Sequence, residues 1–270
     1  MSIVIVTALF ALGLAFIIGI VLGFFKELFF VPDDPMQASI REILPGGNCG
    51  ACGYPGCDSF AAAVAAGNAA ANSCPVGGAS LPAKIAAITG RDAGEAVDAV
   101  AVLACQGSSL HTPLRGIYTG ILTCRAAKIV GGTKLCAWAC MGFGDCVKIC
   151  PFGAITMREN NLPKVDYKKC TGCGLCKKEC PLGLFKIVAR DQKGSLTLCS
   201  NRNPVRQSVV KSCRISCFKC GLCIKTCPQQ CLEMIDQIPV ADWSKCTSCG
   251  TCVEKCPSKA IRLLEKDIMV

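Results

Sequence analysis

The apolar positions of this chain fall into three patterns. Residues 3 to 25, IVIVTALFALGLAFIIGIVLGFF, carry no charge and no polar stripe. A helix that is apolar all round is buried in protein or in lipid, and about 20 such residues span a bilayer. A cleaved signal peptide would need a basic start, a shorter apolar run and a small-residue cleavage site. MSI lacks the first and GFFKELFFVPDD the last, so the pattern predicts an uncleaved single-span anchor. Lys26 follows the span and nothing basic precedes it, which places the body on the cytoplasmic side of the cell inner membrane. In the second pattern, DSFAAAVAAGNAAANS predicts a short helix with a small-residue face. In the third, VDAVAVLAC reads as a strand, and GAITM, LFKIV, CLEMI and AIRLL, each after a Cys-Pro pair, predict four more short strands.

Composition explains how so few apolar segments could hold a body together. The 270 residues include 25 cysteines, about 9%, a density at which cysteine dominates architecture. They cluster in C-x2-C runs and their number is odd, which suits metal ligation and excludes complete disulfide pairing. Thiolates that must remain available imply a reducing compartment. The formal charge of +10 would by itself suggest nucleic acid. However, a [4Fe–4S] centre with four thiolates carries roughly −2, so five bring about −10 and offset it. Lys168, Lys169, Lys177, Lys178, Lys219 and Lys225 lie beside the cysteine runs as that account requires. No basic run with interleaved aromatics is present, so nucleic acid is not an expected partner.

LPGGNCGACGYPGC and NSCP supply Cys49, Cys52, Cys57 and Cys74, enough for one [4Fe–4S] cluster. Structural zinc is the competing use of four cysteines. Further on, four segments end in Cys-Pro at Cys150, Cys180, Cys227 and Cys256. CTGCGLCKKEC, CFKCGLCIKTC and CTSCGTCVEKC match the bacterial ferredoxin run C-x2-C-x2-C-x3-C-P, whose fourth cysteine ligates the other cluster of a pair. Crossing over gives Cys170, Cys173 and Cys176 with Cys150. It likewise gives Cys217, Cys220 and Cys223 with Cys256, and Cys246, Cys249 and Cys252 with Cys227. Cys231 occupies the position of Ala154 and Ala260 and is read as a buried thiol.

One repeat, CAWACMGFGDCVKICP, departs from the rule: Phe143 stands where a ligand belongs. Its cluster has Cys146 and, by crossing over, Cys180, and Cys136 and Cys140 are the nearest further supply. Five clusters then use 20 cysteines, and Cys105, Cys124, Cys199 and Cys213 remain. Four leftovers are what a sixth cluster requires, against the alternative of four ordinary buried cysteines. Cys213 precedes Cys217 by four as Cys136 precedes Cys140, so which of Cys136 and Cys213 serves which centre stays open.

The predicted organisation is α+β: a single N-terminal transmembrane helix, a small helical 4Fe-4S domain and two tandem bacterial 2[4Fe-4S] ferredoxin-like domains. The boundaries fall at 1–28 for the anchor, 29–90 for the N-terminal cluster domain and 91–132 for a connecting segment with Cys105 and Cys124. The first ferredoxin-like domain takes 133–190, and a linker with the second takes 191–270. No nucleotide-binding glycine fingerprint or catalytic triad is present. His111, the single histidine, reads as a surface loop residue. The span holds no buried charge and so offers no ion path.

An anchor, then PGGNCGACGYPGC, then YTGILTCRAAKIVGGTKLCAWACMGFGDCVKICPFGAI, then ferredoxin repeats resembles the RnfB/RsxB family, the B subunits of the Rnf ion-translocating oxidoreductase complexes, in a long form with two ferredoxin pairs. The resemblance implies an electron-transfer subunit with no self-contained catalytic site. Such a subunit relays electrons from soluble reduced ferredoxin to membrane and flavin-containing subunits of a translocase that reduces NAD. The second pair, farthest along the chain from the anchor, is expected to receive electrons from ferredoxin and the N-terminal cluster to hand them to the membrane. Deleting residues 200 to 270 should then abolish reduction by ferredoxin while leaving membrane assembly intact. The alternatives are a polyferredoxin subunit of another membrane redox complex, a subunit that reduces a redox-sensing regulator, and a zinc or metal-storage protein.

Overall fold

The computed structural model of the protein describes residues 2–29, 34–78, 80–95 and 98–269. The uncharged N-terminal run forms one helix, α1 (Ser2–Leu28), whose window Ile5–Lys26 is apolar enough to cross a membrane and is not buried by the described residues. Asp34 then caps α2 (Pro35–Ile43), accepting from Met36 N at 2.9 Å with Pro35 in the first turn, a start that leaves fewer amides in want of an acceptor. α2 packs with α3 (Cys57–Ala65) and α4 (Leu81–Thr89) around Ile40, Phe60, Val64 and Ile85. The alanines of α3 let the three helices approach closely, so a domain of few large side chains still closes a core.

The rest of the body is built from four two-stranded antiparallel ribbons. β1 (Ala99–Leu103) pairs with β4 (Phe185–Ala189), Ala99 facing Ala189 and Leu103 facing Phe185. Between them in sequence lies the hairpin of β2 (Ile155–Met157) and β3 (Pro163–Val165). The same plan recurs: β5 (Ser195–Thr197) pairs with β8 (Ile261–Leu263), around the hairpin of β6 (Leu232–Ile235) and β7 (Ile238–Ala241). The four stretches after Cys-Pro become β2, β4, β6 and β8. Their partners decide the domain plan. The strand-like run of the expected connecting segment is β1, the first strand of the first ferredoxin-like unit, so that unit starts near 98 and not at 133. Val97, at the head of that run, lies outside the described residues. β5 plays the same part for the second unit and leaves almost no linker between them.

Two-stranded ribbons are marginal by themselves, and each unit seals the other. Val100, Val102, Phe185 and Val188 of the first unit's outer ribbon share a core with Leu264, and with partly buried Trp243, Ile268 and Met269 from the second. Trp243 Nε1 donates to Ser195 O at 3.0 Å.

Short helices carry the cysteine loops: α5 (Cys124–Ile129), α6 (Asp145–Lys148), α7 (Leu175–Glu179), α8 (Arg206–Ser212), α9 (Leu222–Lys225) and α10 (Thr251–Glu254). In each cysteine run the loop turns through the left-handed region, at Gly142, Gly172, Lys219 and Ser248 with φ of 84°, 66°, 54° and 55°. Gly172 has a second constraint, since a Cβ there would lie 2.4 Å from Ala99 O on β1. Gly172→Ala should therefore destabilise the holoprotein by about 1–3 kcal/mol, read as a lower midpoint of anaerobic thermal unfolding, whereas Ser248→Gly should leave the midpoint unchanged or raise it.

Candidate metal centres

All 25 cysteines are free thiols. Among the described residues, no three His, Cys, Asp or Glu side chains draw close enough to hold a single metal ion. Four thiolates at about 2.3 Å from one zinc would crowd together. Three groups of thiols surround small cavities instead, which is the arrangement a cluster needs.

Cys49, Cys52, Cys57 and Cys74 line one such cavity with Pro45, Gly47, Asn48 and Phe60. Asn48 Oδ1 accepts from Cys57 N at 2.8 Å, tying the CxxC loop to the start of α3. Burial raises the Cys74 pKa, and Cys52 and Cys49 beside it add to the rise. This is the quartet expected from sequence.

In the first ferredoxin-like unit, Cys176 is pushed up to about 12 by burial and then by Cys170, Cys173 and Cys146. Cys173 is raised by burial first, and among its electrostatic neighbours are Cys49 of the N-terminal domain and Cys150. Cys150 thus reaches the Cys170–Cys176 loop by crossing over.

Around the irregular repeat the thiols group differently from expectation. Cys124, Cys140, Cys146 and Cys180 line one cavity with Leu103, Met141, Met157 and Leu184, and Cys136 is not among its walls. Cys146 is pushed up to about 12 by burial and then by Cys124 and Cys180. Cys124 arrives there because Thr123 caps α5, accepting from Ala126 N at 3.2 Å, while Cys124 N donates to Asp145 Oδ2 at 2.7 Å. The fourth thiol of this cavity, Cys124, is therefore 19 positions upstream of Phe143 in sequence. A Thr-Cys pair opening a helix was the only local signal, and nothing in the sequence said where that helix would dock.

Cys136 lies instead with three of the unassigned thiols. Cys105, Cys136 and Cys213 pack in one buried group. Cys199 and Cys213 both act on Cys136, and Cys199 and Cys136 both act on Cys105, in each case adding to a rise set by burial. In the second unit, Cys223 is pushed up to about 12 by burial and then by Cys217, Cys220 and Cys256, again the crossed quartet.

The last cavity holds five thiols, because Cys231 lines it together with Cys227, Cys246, Cys249 and Cys252. The buried Cys231 places its Sγ 3.5 Å from that of Cys227. His111 sits in a loop and is half-buried, with its backbone carbonyl accepting from Arg214 N at 3.0 Å.

Residues 44–76 match a family described as a putative Fe-S cluster, residues 136–184 a 4Fe-4S dicluster domain, and residues 216–230 and 239–262 two 4Fe-4S binding domains. The chain thus carries [4Fe–4S] clusters, and the cavity-lining thiols fit them. It is 48% identical over 159 residues to the B subunit of the Na(+)-translocating ferredoxin:NAD(+) oxidoreductase complex of Acetobacterium woodii, covering 58% of this chain and 47% of that one. It is 37% identical over 166 residues to the proton-translocating counterpart of Clostridium ljungdahlii, covering 61% and 58%. It is also 35% identical over 159 residues to the B subunit of the ion-translocating oxidoreductase complex of Methanosarcina acetivorans, covering 58% and 60%. The matched stretch thus spans about half to three-fifths of these relatives.

Two outcomes follow for the thiols. Cys124→Ala should cost about four irons per chain, by anaerobic iron and sulfide assay, and Cys146→Ala should do the same. In the metal-free chain, Cys105 and Cys140 are raised from 9.0 to about 11 and about 12, chiefly by burial. A folded pKa above the unfolded one contributes stability that is complete below about pH 9 and lost as pH rises towards 11 to 12. The urea midpoint of the reduced apoprotein should fall over that window.

Proposed function

We propose that this chain, which belongs to the RnfB family of ion-translocating oxidoreductase complexes, relays electrons from reduced ferredoxin to the membrane and flavin-containing subunits of a complex that reduces NAD. The observation that carries the reading is the contiguity of the thiol groups. Cys49 acts on Cys173, Cys146 on Cys176, Cys105 on Cys140, and Cys199 on Cys217, each pair joining one group to the next. When bound, the clusters supply one-electron redox chemistry. The protein keeps the groups close and shields them from water.

The ligand sets we propose are Cys49, Cys52, Cys57, Cys74; Cys150, Cys170, Cys173, Cys176; Cys124, Cys140, Cys146, Cys180; Cys217, Cys220, Cys223, Cys256; and Cys227, Cys246, Cys249, Cys252. α1 anchors the chain in lipid as a single span with the body on the cytoplasmic side, in keeping with Lys26 at its C-terminal end. The N-terminal domain follows α1 directly, which favours it as the point of delivery to the membrane subunits. The group at Cys246–Cys252 follows that of Cys217–Cys223, since Cys252 and Cys223 pack in one buried group, and Cys249 is exposed, as a site of electron uptake from a soluble carrier requires.

Truncation at residue 200 would remove Leu264 from the core of the first unit, so a point substitution is the cleaner test. Cys249→Ala in the assembled complex should slow reduction of the remaining clusters by reduced ferredoxin, followed in stopped flow, while dithionite still reduces them. An unchanged rate with ferredoxin would place electron uptake elsewhere.

A further inference from the structure

Apart from Cys231, the thiols left outside these five sets, Cys105, Cys136, Cys199 and Cys213, occupy equivalent places in the two ferredoxin-like units. Cys105 is the second residue after β1, and Cys199 the second after β5. Immediately before them, Ala104 N donates to Leu184 O and Leu198 N to Ala260 O, both at 2.7 Å, so the chain leaves both ribbons in the same way. Cys136 and Cys213 each stand four residues before the first cysteine of their unit's loop, Cys140 and Cys217. The hydrogen bonds to sulfur repeat as well. The amides of Cys140 and Gly107 serve the Cys105 thiol, and those of the matching Cys217 and Asn201 serve Cys199. Asn201 Nδ2 further donates to Cys136 Sγ at 3.4 Å. All four residues are buried, with exposures of 6% to 9%.

Two ammonium groups are buried beside these thiols. Lys134 and Lys219 are 4% and 5% exposed. Lys134 Nζ donates to Gly107 O at 2.8 Å and Lys219 Nζ to Asn203 O. Among the described residues, neither lies within ion-pair distance of a carboxylate. Buried charges without a counter-charge are costly. The acidic groups that face them are thiols: Cys140, Cys105, Cys213 and Cys136 around Lys134, and Cys199, Cys217 and Cys136 around Lys219. The amides aimed at sulfur and the paired lysines both call for an anion at this place.

We propose that Cys105, Cys136, Cys199 and Cys213 hold a sixth [4Fe–4S] centre at the junction of the two ferredoxin-like units, with Lys134 and Lys219 meeting its negative charge. Each unit contributes two ligands by the same structural rule, so the centre exists only when both units are docked. Its thiols adjoin Cys140 on one side and Cys217 on the other, which makes it the bridge between the two pairs. This deepens the relay reading and rests on it for the bridging role. The centre itself is judged by metal content, which does not depend on ferredoxin or NAD.

The test is anaerobic iron and sulfide analysis of the full-length chain in its complex. About 24 irons per chain are expected, and Cys213→Ala or Cys136→Ala should each lose about four of each element. Lys134→Met should keep all the iron but lower the midpoint potential of one centre in an EPR-monitored redox titration, because a positive charge that favours the reduced form is gone. A wild-type content of about 20 irons, or of about 20 with one zinc, would overturn the proposal whatever the fate of the variants. So would a Cys136→Ala chain that folds with undiminished iron. A sixth centre confirmed by iron while ferredoxin fails to reduce the complex would instead leave the centre standing and sink the relay reading.

Discussion

The structure depends on buried thiols that must converge on something positive. Sulfur atoms withdrawn from water resist ionisation, as the rise of Cys140, Cys146, Cys176 and Cys223 to about 12 records. A cationic cluster core reverses that balance. Around it, two-stranded ribbons and one-turn helices become sufficient architecture, because the cofactor cages occupy the place that a layer of large side chains takes elsewhere. The left-handed turns at Lys219 and Ser248, residues that pay roughly 1–2 kcal/mol for that conformation, show that the loop shape is dictated by the site and not by local preference.

Docking of the two units is the second constraint. Leu264 and its neighbours close the core beneath β1 and β4, and the same contact brings Cys199 and Cys213 to Cys105 and Cys136. A shared hydrophobic core and a shared thiol group thus reinforce one another. The basic residues divide by role. Most lysines beside the cysteine runs are exposed and set the overall charge, whereas Lys134 and Lys219 are buried with no carboxylate of the described residues within ion-pair distance. The irregular group meets charges of both signs: Asp145, buried at 8% exposure, holds Cys124 N, while Lys134 faces Cys140. Fields of this kind set cluster potentials.

The anchor, the N-terminal quartet and the three regular cysteine runs were legible because each is a local pattern. Twenty uncharged residues or a C-x2-C-x2-C run constrain their own neighbourhood whatever surrounds them. The strands after each Cys-Pro were legible for the same reason. β1 was visible as a strand but not as a member of the first unit, since its partner β4 lies more than 80 residues away and strand pairing leaves no mark at that range.

The sequence alone thus determined the chemistry: how many thiols there are, which runs carry them, and where a ligand is missing at Phe143. Only the tertiary structure decided the partition among groups. Cys124 and Cys136 are both small thiols upstream of the same gap, the first half-buried and the second buried, and no rule of spacing separates them. The docking of α5 against Asp145 sends Cys124 to the irregular repeat, and the packing of the two units draws Cys136 towards Cys199 and Cys213. Spacing along a chain fixes which ligands are near neighbours, while the choice between distant equivalents belongs to the packing that brings them together.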